Sequence, residues 1–199
     1  MRAAEQLPVF KYHPDPVATG SIVADKDASC LGCNRIRGYV YVGPAYSDKF
    51  HYLSHSICPW CIADGSASKQ FAAQFTDVGM MDDVPAEVIE EVACRTPGFE
   101  SWQQDHWLTC CGDAAAYLGP AGAAELKQNF PDAIPAVREH LKEDYEVHGK
   151  ELQAFFDGLS KDDMPTAYIF RCLHCIDLSL SVYAVNGISF CTGQGRGGR

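Results

Sequence analysis

Apolar residues change their spacing twice along this chain. Up to about residue 65 they come in short runs between turn-forming residues, and Pro8, Pro14 and Pro16 keep the entrance from being helical. Tyr39-Val40-Tyr41-Val42, just after Gly38, is a β-branched and aromatic run that predicts a strand, and residues 50–53 predict a second. From Ser66 the apolar residues Ala67, Phe71 and Phe75 recur every four positions, the helical interval. Pro85 is placed to open a helix ending near Arg95, with Val84, Val88, Ile89 and Val92 on one face and Thr96-Pro97-Gly98 breaking it. A short helix is expected over 101–108, burying Trp102 with part of Trp107 or Leu108. The longest candidate runs from Pro135 to about Leu159 and presents Val137, Leu141, Tyr145, Leu152 and Phe155, with Gly149 as its weak point. After Met164-Pro165 the period returns to two, and strands are expected at 166–171 and 177–185.

Ten cysteines change this picture, because six of them fall in three C-x-x-C pairs: Cys30/Cys33, Cys58/Cys61 and Cys172/Cys175. The start of the chain lacks the apolar core of a signal peptide, and no run approaches the ~18 apolar residues of a membrane span. The expected location is therefore a reducing cytoplasm, where such pairs serve metals or redox chemistry rather than structural disulfides. Zinc prefers four thiolates in a tetrahedron, and two tight turns joined by a hairpin can supply them. Cys30, Cys33, Cys58 and Cys61 are the first expected zinc site; the 24 residues between Cys33 and Cys58 hold both expected strands. The competing reading of Cys58-Pro59-Trp60-Cys61 is a thiol–disulfide motif. Such motifs follow a buried strand, and Ser54-His55-Ser56-Ile57 is a poor one.

Cys110, Cys111, Cys172 and Cys175 form a second candidate zinc site. Adjacent cysteines tend to point apart, so an alternative set uses Cys111 alone, with His106 or His174 as fourth ligand. The bland reading makes Cys110 and Cys111 small core residues and lets Cys172/Cys175 cap a turn. Cys94 and Cys191 are spares. Together these features predict an α+β fold, with short zinc-bearing β hairpins at both ends of the chain around a helical middle. The expected parts are a zinc-ribbon-like stretch (1–65), a mainly helical stretch (66–165), C-terminal strands whose C-x-x-C returns to the core (166–192) and a flexible Gly/Arg tail (193–199), all one cooperative unit.

Charge narrows the partners. The net charge is −10, concentrated in two stretches: 77–105, with eight acids against Arg95, and 132–163, with nine acids against four bases. An acidic surface repels phosphate backbones and speeds encounter with a basic protein. Nucleic acid is thus disfavoured as a partner, with Arg35, Arg37 and Lys49 the only basic cluster near the first quartet. The candidate partner-binding residues are Asp82, Asp83, Glu87, Glu90 and Glu91; the competing reading is a solvated helix face.

Several phrases taken together resemble one family: Phe10-Lys11-Tyr12-His13-Pro14-Asp15-Pro16, Ala18-Thr19-Gly20-Ser21-Ile22, Arg37-Gly38-Tyr39-Val40-Tyr41, Cys58-Pro59-Trp60-Cys61-Ile62-Ala63-Asp64-Gly65-Ser66, Arg95-Thr96-Pro97-Gly98-Phe99 and Ser101-Trp102-Gln103-Gln104. They are similar to the CbrC family of small bacterial proteins. The resemblance implies a cysteine-rich, zinc-binding protein associated with colicin tolerance and similar to toxin-immunity proteins, with no enzymatic activity to carry over. Cys110 departs from the His-Cys expected there. The expected function is therefore a non-catalytic interaction protein that binds a basic partner such as a nuclease toxin. The alternatives are a zinc-dependent, hydrolase-like enzyme with an open second site, served by His13 and Asp15 or by Asp105 and His106, and a nucleic-acid-binding zinc protein. Against the enzyme, neither H-E-x-x-H nor the deaminase pattern occurs.

Overall fold

The computed structural model describes residues 5–102, 104–174, 182–185 and 188–190. Cys175, Cys191 and the Gly/Arg tail lie outside the described residues. The fold is α+β, built from helices and small antiparallel strand groups, and the chain divides into two compact units, Met1–Glu100 and Ser101–Arg199. Among the described residues no helix is long and apolar enough to cross a membrane.

In the first unit, β1 (Ile22–Ala24) pairs antiparallel with β2 (Tyr39–Tyr41), Ile22 opposite Tyr41. The expected pairing of β2 with residues 50–53 does not form. The Ser47 hydroxyl accepts the N–H groups of Lys49 and Phe50, turning the chain there, and Tyr52 is left 88% exposed. The free edge of Tyr41 is taken by Ile57 instead: Tyr41 N–H donates to Ile57 O at 2.9 Å and His55 N–H to Tyr41 O at 2.8 Å. Three short helices follow: α1 (Pro59–Ala63), α2 (Ser66–Phe71) and α3 (Ala86–Arg95). α2 stops before Phe75 because Ala72 turns left-handed (φ 50°), and Phe75 N–H bonds to Ala93 O instead. Pro85 caps α3 from an extended conformation rather than opening it. Phe10, Ile22, Tyr41, Leu53, Ile57, Ile62, Phe71 and Phe75 make the core, and Cys30, Cys58 and Cys61 belong to it.

Two contacts pin the Thr96–Phe99 segment to this core. The His13 ring donates from Nδ1 to Pro97 O at 2.7 Å, so in the neutral ring Nε2 accepts from the Thr19 hydroxyl at 2.6 Å. Burial holds the His13 pKa down to about 4, against smaller opposing effects of the Pro97 bond and the Asp15 charge. Gly98 N–H donates to the Tyr41 hydroxyl, and a Cβ at Gly98 would lie 1.7 Å from the Phe75 carbonyl oxygen.

The second unit is organised by a four-stranded antiparallel sheet of β5 (Ala116–Ala121), β6 (Ala167–Arg171), β7 (Val182–Val185) and β8 (Ile188–Phe190), in that order. A small hairpin, β3 (Thr109–Cys110) with β4 (Asp113–Ala114), precedes it. The expected helix over 101–108 does not form among the described residues. Trp102 is 52% exposed, with its backbone N–H on the Tyr168 hydroxyl and its indole N–H on the Thr166 hydroxyl, whereas Trp107 is buried against Tyr117 and Phe170. The long expected helix is two, α5 (Ile134–Tyr145) and α6 (Gly149–Asp157), after α4 (Ala123–Asn129). Glu146 and Gly149 both take positive φ, which ends one helix and redirects the chain into the next. Tyr145 and Phe155 then stack across the break, their ring centroids 4.8 Å apart.

Two outcomes follow for the first unit. Gly98→Ala forces Cβ into a backbone carbonyl and is expected to cost about 3 kcal/mol or more, read by urea unfolding; a neutral variant would refute this packing. His13 stays neutral in the fold while the unfolded ring protonates near 6.5, so its contribution is lost as pH falls from about 6.5 toward about 4. His13→Asn keeps a donor for Pro97 but does not titrate. The stability advantage of the parent over this variant is expected to shrink by about 2–3 kcal/mol between pH ~7 and ~4. A difference that stays flat with pH would contradict it.

Candidate metal centre

Each half of the first cysteine quartet is set by a different local device. Cys30 ends a short antiparallel bridge (Ser29 with Ile36), and the chain then turns tightly: Asn34 N–H donates to Cys30 O at 2.8 Å and Cys30 N–H to Arg35 O at 3.0 Å. Cys58 caps α1, Pro59 is its first residue, and Cys61 lies one turn on, its N–H on Cys58 O at 3.1 Å. The Tyr41–Ile57 bridge delivers Cys58 beside the first turn. Sulfur separations are 3.8 Å for Cys30–Cys61, 3.8 Å for Cys33–Cys58 and 3.6 Å for Cys58–Cys61. All four sulfurs lie within 4.8 Å of one another. Zinc–thiolate bonds of about 2.3 Å in a tetrahedron set sulfurs about 3.8 Å apart, so these residues fit a four-coordinate metal. Three of the four are buried and Cys33 is half-buried, which suits a closed site.

Hydrogen bonding and burial divide the protons of this cluster unevenly. A hydrogen bond from the Cys58 side chain, with backbone N–H groups of Cys58, Cys33 and Gly32, holds the Cys30 thiol down to about 4 despite burial. The same pairing and burial push Cys58 well above the usual thiol range, and burial first of all lifts Cys61 to about 11. A cluster that keeps one thiolate and protonates others must release protons to take up a dication, so its metal affinity falls on acidification. Beside it the Arg37 guanidinium lies over the Trp60 ring, 4.9 Å from the centroid.

The second cluster brings together Cys110, Cys111 and Cys172, with sulfurs within 4.8 Å and Cys110–Cys111 at 3.7 Å. Adjacent cysteines converge here because Cys111 (φ 56°) and Gly112 (φ 71°) are both left-handed, the two-residue turn that closes tight hairpins. Cys172 follows β6, and its sulfur accepts the His174 N–H at 3.4 Å. Cys110 and Cys172 are buried and Cys111 is exposed. These three residues could hold a metal ion, but Cys110 is disulfide-bonded. A disulfide sulfur is no thiolate ligand, so a metal here requires Cys110 reduced. Among the described residues the sulfur group includes neither expected histidine. His174 Nε2 lies 2.7 Å from Asp113 Oδ2, a partner that sequence reading did not find although Asp113 stands two residues after Cys111. The His106 Nδ1 is buried with no hydrogen-bond partner.

The remaining candidates scatter. His13 is fully buried with both ring nitrogens engaged, and the Asp15 carboxylate accepts the Ala18 N–H, so this pair makes a turn and not an open acid–base site. Asp105 is buried. Asp82, Asp83, Glu87 and Glu90 are exposed, whereas Glu91 is half-buried and paired with Arg95 at 3.3 Å. Cys94 is a half-buried free thiol on α3.

Comparison with known proteins bears on these residues as a set. The sequence profile of a family described as "Uncharacterised protein family (UPF0167)" matches residues 7–183. "UPF0167 protein Mb2317" of Mycobacterium bovis is 51% identical over 173 residues, covering 86% of this chain and 90% of the relative. "UPF0167 protein PA1536" of Pseudomonas aeruginosa is 42% identical over 180 residues, covering 85% and 92%. No solved structure matches significantly. These matches correct the expected membership of the CbrC family: profile and relatives alike carry the UPF0167 name. The colicin-tolerance and immunity role expected through that resemblance loses its support.

Cys61→Ser or Cys30→Ser is expected to lose the first unit's metal and its cooperative thermal transition, whereas Cys94→Ser stays within about 1 kcal/mol of the parent. Metal content and melting curves decide; a Cys61→Ser chain with unchanged melting would remove the structural claim.

Proposed function

The chain belongs to the UPF0167 family, and on that premise we propose that it is a zinc protein without catalytic role. Cys30, Cys33, Cys58 and Cys61 close a structural site, and an acid-rich surface engages a basic protein partner. The observation that carries the metal half is the spacing of four mostly buried sulfurs at tetrahedral zinc–thiolate separations. Zinc is preferred to iron or copper on ligand chemistry: four thiolates on two tight turns suit it, and it brings no redox chemistry of its own.

The partner half rests on charge. Asp82, Asp83, Glu87 and Glu90 stand exposed before and along α3, in a stretch where eight acids face one arginine. Nuclease domains carry basic surfaces to hold nucleic acid, and they are the class of partner this surface complements best. The two halves are joined through α3, which packs on α1, the helix that carries Cys58 and Cys61. The metal would thus hold the platform on which the acids are displayed.

Elemental analysis of untagged protein is expected to find zinc, with the first-quartet thiols protected until a chelator is added. Unprotected thiols with no metal would overturn the reading. For the partner, the fourfold variant Asp82→Lys, Asp83→Lys, Glu87→Lys, Glu90→Lys is tested against a panel of basic nuclease domains. It is expected to lower the association rate by about tenfold at low salt, with zinc content unchanged. A rate insensitive to both the variant and salt removes this surface from the proposal.

A further inference from the structure

The two cysteine groups differ in access. In the first, all four cysteines are free thiols and none is exposed. In the second, Cys111 is exposed, its sulfur is 3.7 Å from that of Cys110, and the sulfurs of Cys110, Cys111 and Cys172 lie within 4.8 Å of one another. The left-handed turn at Cys111-Gly112 is what holds an accessible sulfur against buried ones. Susceptibility of cysteine to peroxide follows thiolate character and exposure, and sensor cysteines stand beside a sulfur that can resolve them.

We propose that the second cluster is a reversible oxidation site, in which Cys111 reacts with peroxide and Cys172 resolves it, so that the cluster holds a metal only when reduced. The inference rests on the reading of the cysteine groups as metal sites. In the first step the Cys111 thiolate sulfur attacks one oxygen of hydrogen peroxide. An S–O bond forms, the O–O bond breaks, and hydroxide leaves to take a proton from solvent, giving a sulfenic acid. In the second, the Cys172 sulfur, within 4.8 Å in the cluster, attacks the Cys111 sulfur. The S–S bond forms, the S–O bond breaks, and the sulfenic acid's OH leaves as a second water after taking the proton of the Cys172 thiol. Two electrons pass from the two sulfurs to the peroxide. A dithiol reductant returns them and restores the ligands. The first cluster, in which no cysteine is exposed, stays intact.

The test uses the full-length protein, reduced and zinc-loaded, treated with a small excess of hydrogen peroxide. Zinc release is followed with a chromogenic chelator, and oxidised cysteines are located by differential alkylation and peptide mass spectrometry. Second-cluster cysteines are expected to oxidise at least about tenfold faster than Cys30, Cys33, Cys58 and Cys61, releasing zinc from that cluster alone. Dithiothreitol with added zinc should reverse the change. Cys111→Ser should remove the fast phase, and Cys172→Ser should leave a Cys111 sulfenic acid trappable by dimedone. Equal rates at the two clusters, or fast release from Cys111→Ser, would overturn the proposal. Should either variant fail to fold, the peptide map of the parent chain decides alone. A chain with zinc at the first cluster only refutes the switch but leaves the proposed function standing. Absence of zinc from the first cluster refutes the proposed function, while the Cys111 map still reads the oxidation step.

Discussion

The approach of four cysteine sulfurs to within 4.8 Å of one another is the constraint on which the first unit depends. Among the described residues its regular secondary structure is slight: two three-residue strands, three isolated bridges (Ser29–Ile36, Tyr41–Ile57 and Tyr46–Gln74), and helices of five, six and ten residues. Strand pairs of that length do not stand alone in water, and small folds of this kind need a staple beyond their apolar burial. The sulfurs sit where the two turns, the Tyr41–Ile57 bridge and α1 meet, so a bound dication would tie all of them at one point. Burying several thiols without a metal leaves the cluster to share protons unevenly, with Cys30 driven down and Cys58 and Cys61 up.

The second unit is built differently. It has a four-stranded sheet, helices covering it, and the Trp107–Tyr117–Phe170 group of buried rings. None of these needs a staple, which leaves its cysteines free to be exposed, oxidised and reduced without dissolving the core. One residue type thus has two physical situations in one chain: sealed among apolar side chains in the first unit, and at a hairpin tip in the second.

What could be read in advance followed from strong local signals. The C-x-x-C pairs, the strand at Tyr39–Tyr41, the helix after Pro85 and the strand after Pro165 were legible because each has a period or a punctuating residue of its own. Residues 50–53 have strand-like composition but lose their pairing to the Ser47 turn, a side-chain effect that period alone does not reveal. β5 was invisible because Ala116–Ala121 is rich in small residues of low strand propensity; its Pro120 is tolerated because β5 lies at the sheet edge. The break after Tyr145 depends on a left-handed Glu146, and nothing about glutamate announces that. The convergence of Cys110 and Cys111 likewise depends on a non-glycine residue at positive φ, so the expectation that neighbouring side chains diverge was reasonable and failed here.

Trp60 sits between the two ligands that α1 contributes, with the Arg37 guanidinium over its face. An indole so placed reports on its surroundings through its emission, and the charge above it and the sulfurs beside it are the surroundings that metal binding changes. Trp102 and Trp107, the other tryptophans, belong to the second unit. The first unit therefore carries a single tryptophan, stationed at its candidate metal centre. A metal bound there would announce itself in the Trp60 emission, with neither a label nor a coloured ion needed.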